Sequence, residues 1–514
     1  MRLLVYGEFP RKIHHPPLAL LATALGPYLQ GIPFTRFEEP YDEAHLYEEG
    51  NRVVYHEGRY RRNLSLARVG ILPFFIAGAL VVWSWARRSG GQAAGLVSVF
   101  LYTTTPEVLA HAGIASNDLA GAIGVVGTAF ALMRWIETPS WRDTISLGIW
   151  IGIANATKSS SLVFLPAIVI AFISVALSIR RPAMRVFERI RIPQLFIAAL
   201  LGFVILWASY FFQMETLTSS EARPHQTIDR FIGERGILHH FAYLVAERVP
   251  IPATDYFHGM MALAQHQTGG HPSFLLGEFS QHGWPHYFLV AFVVKSPIPL
   301  VILTLVAFPA LIRESIRERS WRPVLPLVAS AVIMAGAIPS NIAIGLRHIL
   351  PIYPLIAIAG AHACLIVWRS AKRQVIVPVV ALLFVWQATS TLLVHPDYLA
   401  YFNEAVRRPH QVLVDSNLDW GQDLLRLEKR LSKGDIRSLW IAYFGSCDLT
   451  KHALPDHQTL PPNTPVTGWI AISETALNGV YNGGAYRWLE GHSPVERVGR
   501  TIRLYHIEHQ DLMQ

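Results

Sequence analysis

The stretch DSNLDWGQDL, Asp415–Leu424, lies near the start of a polar region at residues 394–514. About ten apolar runs long enough to cross a bilayer precede this region. A polar module attached to such a body indicates a transporter, a receptor or a membrane-embedded enzyme. The runs are residues 68–86, 92–110, 119–136, 144–157, 160–179, 194–213, 286–312, 323–340, 348–368 and 374–393.

The composition also favours a membrane protein. Of the 514 residues, 52% are hydrophobic and only 16% are charged, whereas soluble domains average about 25% charged residues. The net charge of +8 lies mainly in short loops between the apolar runs, so it does not indicate nucleic-acid binding. The two cysteines, Cys364 and Cys447, fit neither a disulfide framework nor a zinc site.

Basic residues alternate between the loops. One set of loops contains 16 lysines and arginines, and the opposite short connections contain only Lys158 and Arg347. Because cytoplasmic loops are enriched in Lys and Arg, the set of 16 predicts the cytoplasmic side. Residues 1–66, the loop 214–285 and the region after residue 394 are therefore expected to face outward. The 16 residues are Arg87, Arg88, Arg134, Arg142, Arg180, Arg181, Arg185, Arg189, Arg191, Arg313, Arg317, Arg319, Arg322, Arg369, Lys372 and Arg373.

An outward-facing N-terminal segment needs a preceding segment that crosses the membrane. Residues 1–15 contain neither a spanning run nor a signal peptide. Either Pro17–Phe34 spans the membrane, or the chain starts late and a first transmembrane helix is missing. The run has only about 13 strongly apolar positions before its Gly, Pro and Gln interruptions. This length favours an interfacial helix, and with it a missing first helix.

Ionisable residues near the membrane boundaries fall on the predicted outer side. Such groups are costly at membrane depth and usually mark functional sites. A carboxylate with three cations suits a phosphate-bearing lipid, because the cations neutralise a phosphate leaving group and the carboxylate acts as a general base. The residues are Asp118 in HAGIASNDLAGA, Lys158 in NATKSSS, Lys295 in VVKSPIP, and Arg347 with His348 in GLRHILPIYP.

Each of these residues also has a structural interpretation. Asp118 would cap its helix, and Lys158 and Arg347 would anchor helix ends at the membrane surface. His15, before a double proline, is more typical of a rigid turn than of a metal ligand. The sequence has no metal-ligand spacing of His, Cys or Asp, no P-loop and no GxGxxG. No cofactor is therefore predicted, and dependence on a divalent metal stays open.

The polar region is predicted to form a small α/β module. A helix is expected over Gln422–Gly434, with basic residues late and glycine at its end. Asp419 or Ser416 would N-cap this helix, and Trp420 would pack at the membrane surface. Strands are expected at Leu439–Gly445, Gly468–Glu474 and Thr501–Ile507.

Several pieces of the chain, taken in order, resemble the membrane glycosyltransferases of family 39, which include protein O-mannosyltransferases and lipid A aminoarabinose transferases. Each piece is loose, but the ordered set is specific and covers nearly the whole chain. The pieces are HHPPLALLATALGPYL, LARVG, PEVLAHAGIASNDLA, GIANATKSSSLVFLP, FLLGEFSQHGWPHYFLVAFVVKSPIPL, IGLRHILPIYP, YLAYFNEA and DSNLDWGQDL with the following IAYFG.

The resemblance implies a GT-C-type fold, an α-helical polytopic membrane body of about ten transmembrane helices with an outer catalytic face. It implies transfer of a sugar from a polyprenyl-phosphate-linked donor to an extracytoplasmic acceptor, usually with inversion. Asp118 falls on an acidic position of the family, and Lys158, Lys295 and Arg347 fall on basic positions near the lipid phosphate, with His348 beside them. Acceptor or structural roles are expected for His15, Asn403, Asn417, Asp419 and Trp420.

One departure from the family pattern concerns the catalytic base. The family carries an acidic pair, usually Asp-Glu, before its HPPL-like element, whereas only MRLLVYGEFPRKI precedes HHPPL here. Asp42 and Glu43 in YDEAHLYEEG resemble this pair but follow HHPPL. They would supply the base if their loop folds back, and otherwise belong to a solvated acidic loop.

The leading hypothesis is therefore a multi-pass glycosyltransferase of the inner or plasma membrane. The alternatives are a non-catalytic subunit that binds a lipid-linked sugar, and a transporter or flippase. No internal repeat relates the two halves, and this argues against a transporter. The expected domains are an outer loop with interfacial helices at 1–66, the membrane body at 67–393 and the extracytoplasmic module at 394–514.

Overall fold

The computed structural model describes residues 1–9, 15–37, 43–179, 191–219, 228–229, 233, 235–368, 373–434 and 436–510. These residues form a mostly helical body followed by a small α/β module, as the sequence predicts. The helices up to residue 394 are α1 Arg2–Tyr6, α2 Leu18–Leu29, α3 Glu43–Val54, α4 Tyr60–Val69, α5 Leu72–Gly90, α6 Gln92–Thr103, α7 Pro106–Ala112, α8 Asp118–Glu137, α9 Trp141–Thr157, α10 Ser161–Ile179, α11 Ile192–Ser209, α12 Ile237–Arg248, α13 Thr254–Gly269, α14 Tyr287–Lys295, α15 Ile298–Arg317, α16 Leu325–Ala337, α17 Ile352–Trp368 and α18 Arg373–Val394.

The apolar helices make this chain a multi-pass membrane protein. Within the described ranges, six helical units are long and apolar enough to cross a membrane: α4 with α5, α8, α10, α11, α15 and most of α18. The pair α6 and α7 meets the same criteria together but is bent by 69°. Each predicted run contains helix, but the run 286–312 is two helices, because Pro297 and Pro299 interrupt helical hydrogen bonding after Lys295.

Helix α2 bears on the two interpretations of Pro17–Phe34. It has 12 residues, so it is about 18 Å long, whereas the hydrocarbon core of a bilayer is about 30 Å thick. The structure therefore agrees with an interfacial helix at this position.

A seam of glycines on α8 determines how closely α9 approaches. A Cβ added at Gly124 would lie 2.6 Å from the Cα of Ala154, and one at Gly127 would lie 2.2 Å from the ring of Trp150. Gly121, at the same spacing, lies against the side chain of Lys158. Small residues allow membrane helices to pack backbone to backbone. The seam therefore places Lys158, just past the end of α9, beside the first turn of α8.

The C-terminal module is a mixed five-stranded sheet with two helices. The chain's described strands are β1 Met214–Glu215, β2 Ile251–Pro252, β3 Ser273–Leu275, β4 Glu278–Ser280, β5 Ser438–Ala442, β6 Asp456–Thr459, β7 Gly468–Ser473, β8 Glu496–Val498 and β9 Ile502–Ile507, and the module's helices are α19 Leu424–Leu431 and α20 Glu474–Asn478. The strand order of the sheet is β6–β5–β7–β9–β8, with β5 parallel to β6 and β7, and with β9 antiparallel to β7 and β8. Alternate residues of β5 enter two different cores, with Leu439 packed on the α19 side and Ala442 on the other.

Two features of the module differ from the sequence prediction. The edge strands β6 and β8 were not predicted, because they are short and lack the apolar alternation that marks a half-buried strand. The helix predicted over Gln422–Gly434 is present as α19, but it begins at Leu424 with Asp423 at the N-cap position. The prediction that Asp419 or Ser416 caps this helix is therefore wrong.

The N-terminal helices α3 and α4 reach the module directly. The Asn51 amide donates a hydrogen bond of 2.9 Å to the Ser446 carbonyl, and the hydroxyl of Tyr55 lies 2.7 Å from Nε2 of His452. These contacts connect segments that lie almost 400 positions apart in sequence. They leave a space enclosed by the N-terminal helices, the body and the module.

We expect Gly124→Ala to destabilise the protein, although Gly→Ala inside a helix is normally favourable by about 1 kcal/mol. The added Cβ must push α8 and α9 apart, and such overpacking costs about 1–3 kcal/mol. Thermal unfolding of the purified chain in detergent measures this effect. Gly50→Ala on α3 is the matched control, because a Cβ there meets open space. Equal melting temperatures of the two variants would contradict the proposed seam.

Candidate functional site

Asp118 and Lys158 form a buried ion pair at the end of the glycine seam. Their charged atoms are 2.7 Å apart, and both side chains are largely buried. Ser116 donates a second hydrogen bond of 3.0 Å to the Asp118 carboxylate. The Lys158 ammonium also donates to the backbone carbonyl of Arg347 at 3.3 Å. The pair therefore fixes the backbone that carries Arg347.

Lys295 forms a second ion pair and is fully buried. Its ammonium is 2.6 Å from the Glu107 carboxylate and donates to the carbonyls of Leu399 at 2.6 Å and Asn417 at 2.5 Å. Neither Lys295 nor Glu107 is exposed by more than 1%. All three acceptors come from the protein, so this lysine connects α14, α7 and the DSNLDWGQDL motif and has no capacity left for a lipid phosphate.

Sequence reasoning missed two buried residues of α7. Glu107 is the partner of Lys295, and His111 lies 3.8 Å from Glu107 on one side and 3.8 Å from Asp118 on the other. In the sequence, these residues could have been recognised as an acid and a histidine four positions apart at the end of an apolar run. These two residues link the Lys295 and Asp118 ion pairs into one buried polar chain.

Arg347 differs from both lysines. Its guanidinium lies over the Trp420 ring, 5.0 Å from the ring centre. It makes no ion pair with any described residue, and its buried Nε has no hydrogen-bond acceptor there. An unsatisfied, partly buried guanidinium is costly unless a ligand pairs with it.

Arg347 and Trp420 line a cavity of 1590 Å³, which we call the large cavity. Its other walls are α3, α4, the end of α7 and the module loop that carries Cys447. Asp118, Lys158 and Lys295 do not line it. Trp420, expected to pack at the membrane surface, lines this cavity, and its ring centre is 6.3 Å from that of His111.

The DSNLDWGQDL motif holds the Arg347 segment in place. The Asn417 side chain accepts from the Leu346 N–H at 2.9 Å and donates to the Tyr287 hydroxyl at 2.9 Å. The Ser416 hydroxyl donates to the Ile344 carbonyl. The motif therefore positions Arg347 through backbone contacts on one side and presents Trp420 on the other.

All three carboxylates of the motif, those of Asp415, Asp419 and Asp423, are buried. Burial raises the pKa of the Asp415 carboxyl, although the hydroxyl of Tyr481 hydrogen-bonds to it and acts in the opposite direction. Burial also raises the pKa of Asp419 to about 7, against the backbone N–H groups of Gly421 and Thr475. Asp419 is therefore a structural group whose proton is bound far more tightly in the folded chain than in the unfolded chain.

The remaining predicted residues lie at several places, with His15 and His348 close enough to each other to interact electrostatically. Asp42 lies outside the described residues, and Glu43 begins α3 without a described side chain. His348 lies beside Arg347 and has a buried Nε2 without a hydrogen-bond partner in the described part of the chain. His15 is exposed. Asn403 caps α14 by donating to the carbonyls of Val293 at 2.6 Å and Ser296 at 3.0 Å. In the described ranges, no group of three or more His, Cys, Asp or Glu side chains is arranged to hold a metal ion.

We expect Lys295→Met to destabilise the protein by about 3–5 kcal/mol, because it leaves the Glu107 carboxylate buried without a counter-charge. The double variant Glu107→Gln/Lys295→Met should lose much less than the sum of the single changes. Chemical unfolding in detergent gives the coupling energy of the cycle. Lys433→Met, at an exposed position, serves as the control. Strictly additive losses would show that the two groups do not act as a pair.

We expect the free energy of unfolding to fall as pH rises from about 4 to about 7, because Asp419 releases its proton more readily in the unfolded chain. The shift from 3.8 to about 7 corresponds to up to about 4 kcal/mol. Asp419→Asn should flatten this part of the pH profile, measured by thermal unfolding. Asp456→Asn, at an exposed position of β6, should keep the wild-type slope, and an unchanged slope in Asp419→Asn would contradict the assignment.

Comparisons with known proteins agree with part of this description. The sequence model of the family described as dolichyl-phosphate-mannose-protein mannosyltransferase matches residues 65–210, which include Asp118 and Lys158. No curated protein matches the chain. The match confirms the family resemblance for α5 to α11.

Solved structures give wider but weaker likenesses. ArnT from Cupriavidus metallidurans bound to undecaprenyl phosphate is 14% identical, with a TM-score of 0.45, over 95% of this chain and 92% of that chain. The oligosaccharyltransferase AglB from Archaeoglobus fulgidus, in complex with an inhibitory peptide and a dolichol-phosphate, is 9% identical, with a TM-score of 0.47, over 96% of this chain and 71% of that chain. Residues 65–210 are therefore the part of this chain whose sequence resembles the dolichyl-phosphate-mannose-protein mannosyltransferases.

Proposed function

We propose that this protein is a membrane glycosyltransferase that moves a sugar from a polyprenyl-phosphate-linked donor to an extracytoplasmic acceptor. The family match at residues 65–210 supports the reaction class. The observation that carries the proposal is Arg347, whose guanidinium makes no direct ion pair with any described residue and lies on the wall of a large cavity. Such a guanidinium suits the phosphate of the donor lipid, because it offers several N–H donors in a planar array.

The proposed step is a displacement at the anomeric carbon. The acceptor oxygen forms a bond to this carbon while the bond from the carbon to the phosphate oxygen breaks, and polyprenyl phosphate leaves with the electron pair. Attack opposite the leaving group inverts the anomeric configuration. Arg347 stabilises the charge that develops on the phosphate. Trp420, held beneath the guanidinium, offers the sugar a flat apolar face.

The acceptor's proton passes to a carboxylate in this proposal. Helix α3, which begins at Glu43, places Tyr47, Glu48 and Asn51 on the cavity wall. This placement supports a general base in the acidic segment that contains Asp42 and Glu43. It also makes Glu48 a candidate for the general base. Asp118 is assigned a positioning role, because its carboxylate is buried against Lys158 and does not line the cavity.

Lys158 and Lys295 are also assigned different roles. Lys158 supports Arg347 through its backbone carbonyl and neutralises Asp118. Lys295, with three protein acceptors, is left out of the phosphate site. His348 stays a candidate for the phosphate site, since it neighbours Arg347 and its buried Nε2 has no partner in the described ranges. The outward orientation of the cavity and of the module at 394–514 is part of the proposal and rests on the loop charges.

We expect Arg347→Ala to lower sugar transfer about a hundredfold, the usual loss when one oriented donor to a developing charge is removed. The measurement is transfer of radiolabelled sugar from a panel of polyprenyl-phosphate donors in proteoliposomes. Arg437→Ala, an exposed arginine of the module outside the cavity, should transfer at the wild-type rate.

Wild-type turnover in Arg347→Ala would remove this residue from the mechanism. If the unaltered chain binds a donor in an Arg347-dependent way but transfers no sugar, the protein is a subunit that binds a lipid-linked sugar. Transport of the intact donor between the leaflets, without transfer, would instead indicate a flippase.

A further inference from the structure

A second pocket lies between the module and the segment that follows α18. Its volume is 600 Å³, and it shares Asp397 and Arg426 with the large cavity. Asp397 lies just beyond the end of α18, an apolar helix that is long enough to cross the membrane. The pocket is therefore at the edge of the module closest to the membrane boundary. We call it the arginine pocket, after Arg426, Arg497 and Arg500 in its lining.

The three arginines are only partly neutralised. Arg426 uses Nη1 to contact both Asp397 and Asp423 at 2.7 Å. Arg497 uses Nη2 to contact Glu474 at 3.1 Å, and Arg500 uses Nε to contact Asp397 at 3.4 Å. Their other guanidinium nitrogens donate no hydrogen bond to any described residue, and each side chain is 39–46% exposed. Donors thus remain available to an anion that enters the pocket.

The arginines outnumber the carboxylates that they contact directly. Arg503 also contacts Glu474, at 2.9 Å, so four arginines share direct contacts with Asp397, Asp423 and Glu474. The nearby Asp419 carboxyl is buried, and burial raises its pKa to about 7. His410 lines the pocket as well, and its buried Nδ1 has no hydrogen-bond partner in the described part of the chain. An excess cation and an unsatisfied imidazole nitrogen at one site both suit an oxyanion ligand.

We propose that the arginine pocket binds a phosphate group. Arginine recognises phosphate through parallel N–H donors, and the unused nitrogens of Arg497 and Arg500 are the donors for this contact. The phosphate belongs either to the headgroup of an anionic membrane lipid at the boundary beside α18 or to a free molecule that enters from water. Its donors, Arg497 and Arg500, do not line the large cavity at Arg347, and the proposal does not depend on sugar transfer.

The test compares the full chain with the variant Arg497→Gln/Arg500→Gln. This variant should still fold, because Glu474 keeps Arg503 and Asp397 keeps Arg426. The control Arg59→Gln/Arg437→Gln removes the same charge at exposed positions outside the pocket. Native mass spectrometry of protein from nanodiscs of phosphatidylcholine with phosphatidylglycerol measures lipid retention, and equilibrium dialysis in a zwitterionic detergent measures binding of radiolabelled inorganic phosphate. Thermal unfolding verifies that each variant is folded.

We expect the pocket variant to bind the anion at least about tenfold more weakly than the control, because each lost charge-assisted contact is worth about a factor of ten. Selective retention of phosphatidylglycerol would assign the phosphate to a lipid, and saturable binding of inorganic phosphate would assign it to a free molecule. Equal binding by the pocket variant and the control, or no phosphate binding by the unaltered chain in either assay, would overturn the proposal. If the double variant unfolds, Arg497→Lys decides, since it keeps the charge and loses the planar pair of donors, and wild-type affinity in it would count against a guanidinium-specific site.

Discussion

The requirement that a buried charge be paired determines how this molecule is assembled. The ammonium of Lys295 has no access to water, and its three acceptors come from α7, from the segment after α18 and from the DSNLDWGQDL motif. Removing a charge from water costs several kcal/mol, and only close partners with good geometry offset that cost. The membrane body supplies the counter-charge Glu107, and the region after residue 394 supplies the two carbonyls that complete the hydrogen bonding of Lys295. One buried ammonium therefore joins the body to the polar region.

The position of Arg347 follows from this connection. Once the motif is fixed by Lys295, Asn417 and Ser416 bind the backbone on either side of Gly345, and Lys158 binds the carbonyl of Arg347 itself. The glycine seam of α8 gives Lys158 its place, since a Cβ at Gly121 would lie 2.6 Å from the lysine's Cβ. Helix packing, a buried ion pair and a loop motif thus together position the Arg347 guanidinium on the wall of the large cavity.

The sequence predicts the elements well where the signal is local. Apolar length identifies the helices of the body, and alternation identifies β5, β7 and β9, because each pattern reports the burial of that element alone. The partners of the charges are not local. Lys158 finds Asp118, 40 positions away, and Lys295 finds Glu107 through a bend between α6 and α7 that the pattern of residues 92–110 does not reveal. The sequence therefore assigned one role to the three cations Lys158, Lys295 and Arg347, although the fold gives them different partners.

This difference supplies a general criterion for assigning charged residues near a membrane surface. A cation whose donors are all accepted by the protein stabilises the fold, and its capacity to bind a phosphate is already used. A cation that stays partly buried without a counter-ion carries an electrostatic cost that evolution retains only where a ligand offsets it. By this criterion Lys295 belongs to the architecture, Lys158 is largely used by Asp118 and the Arg347 carbonyl, and Arg347 is the cation that we propose for the donor site. The same reasoning, applied to the unused donors of Arg497 and Arg500, distinguishes an anion pocket from the paired arginines that surround it.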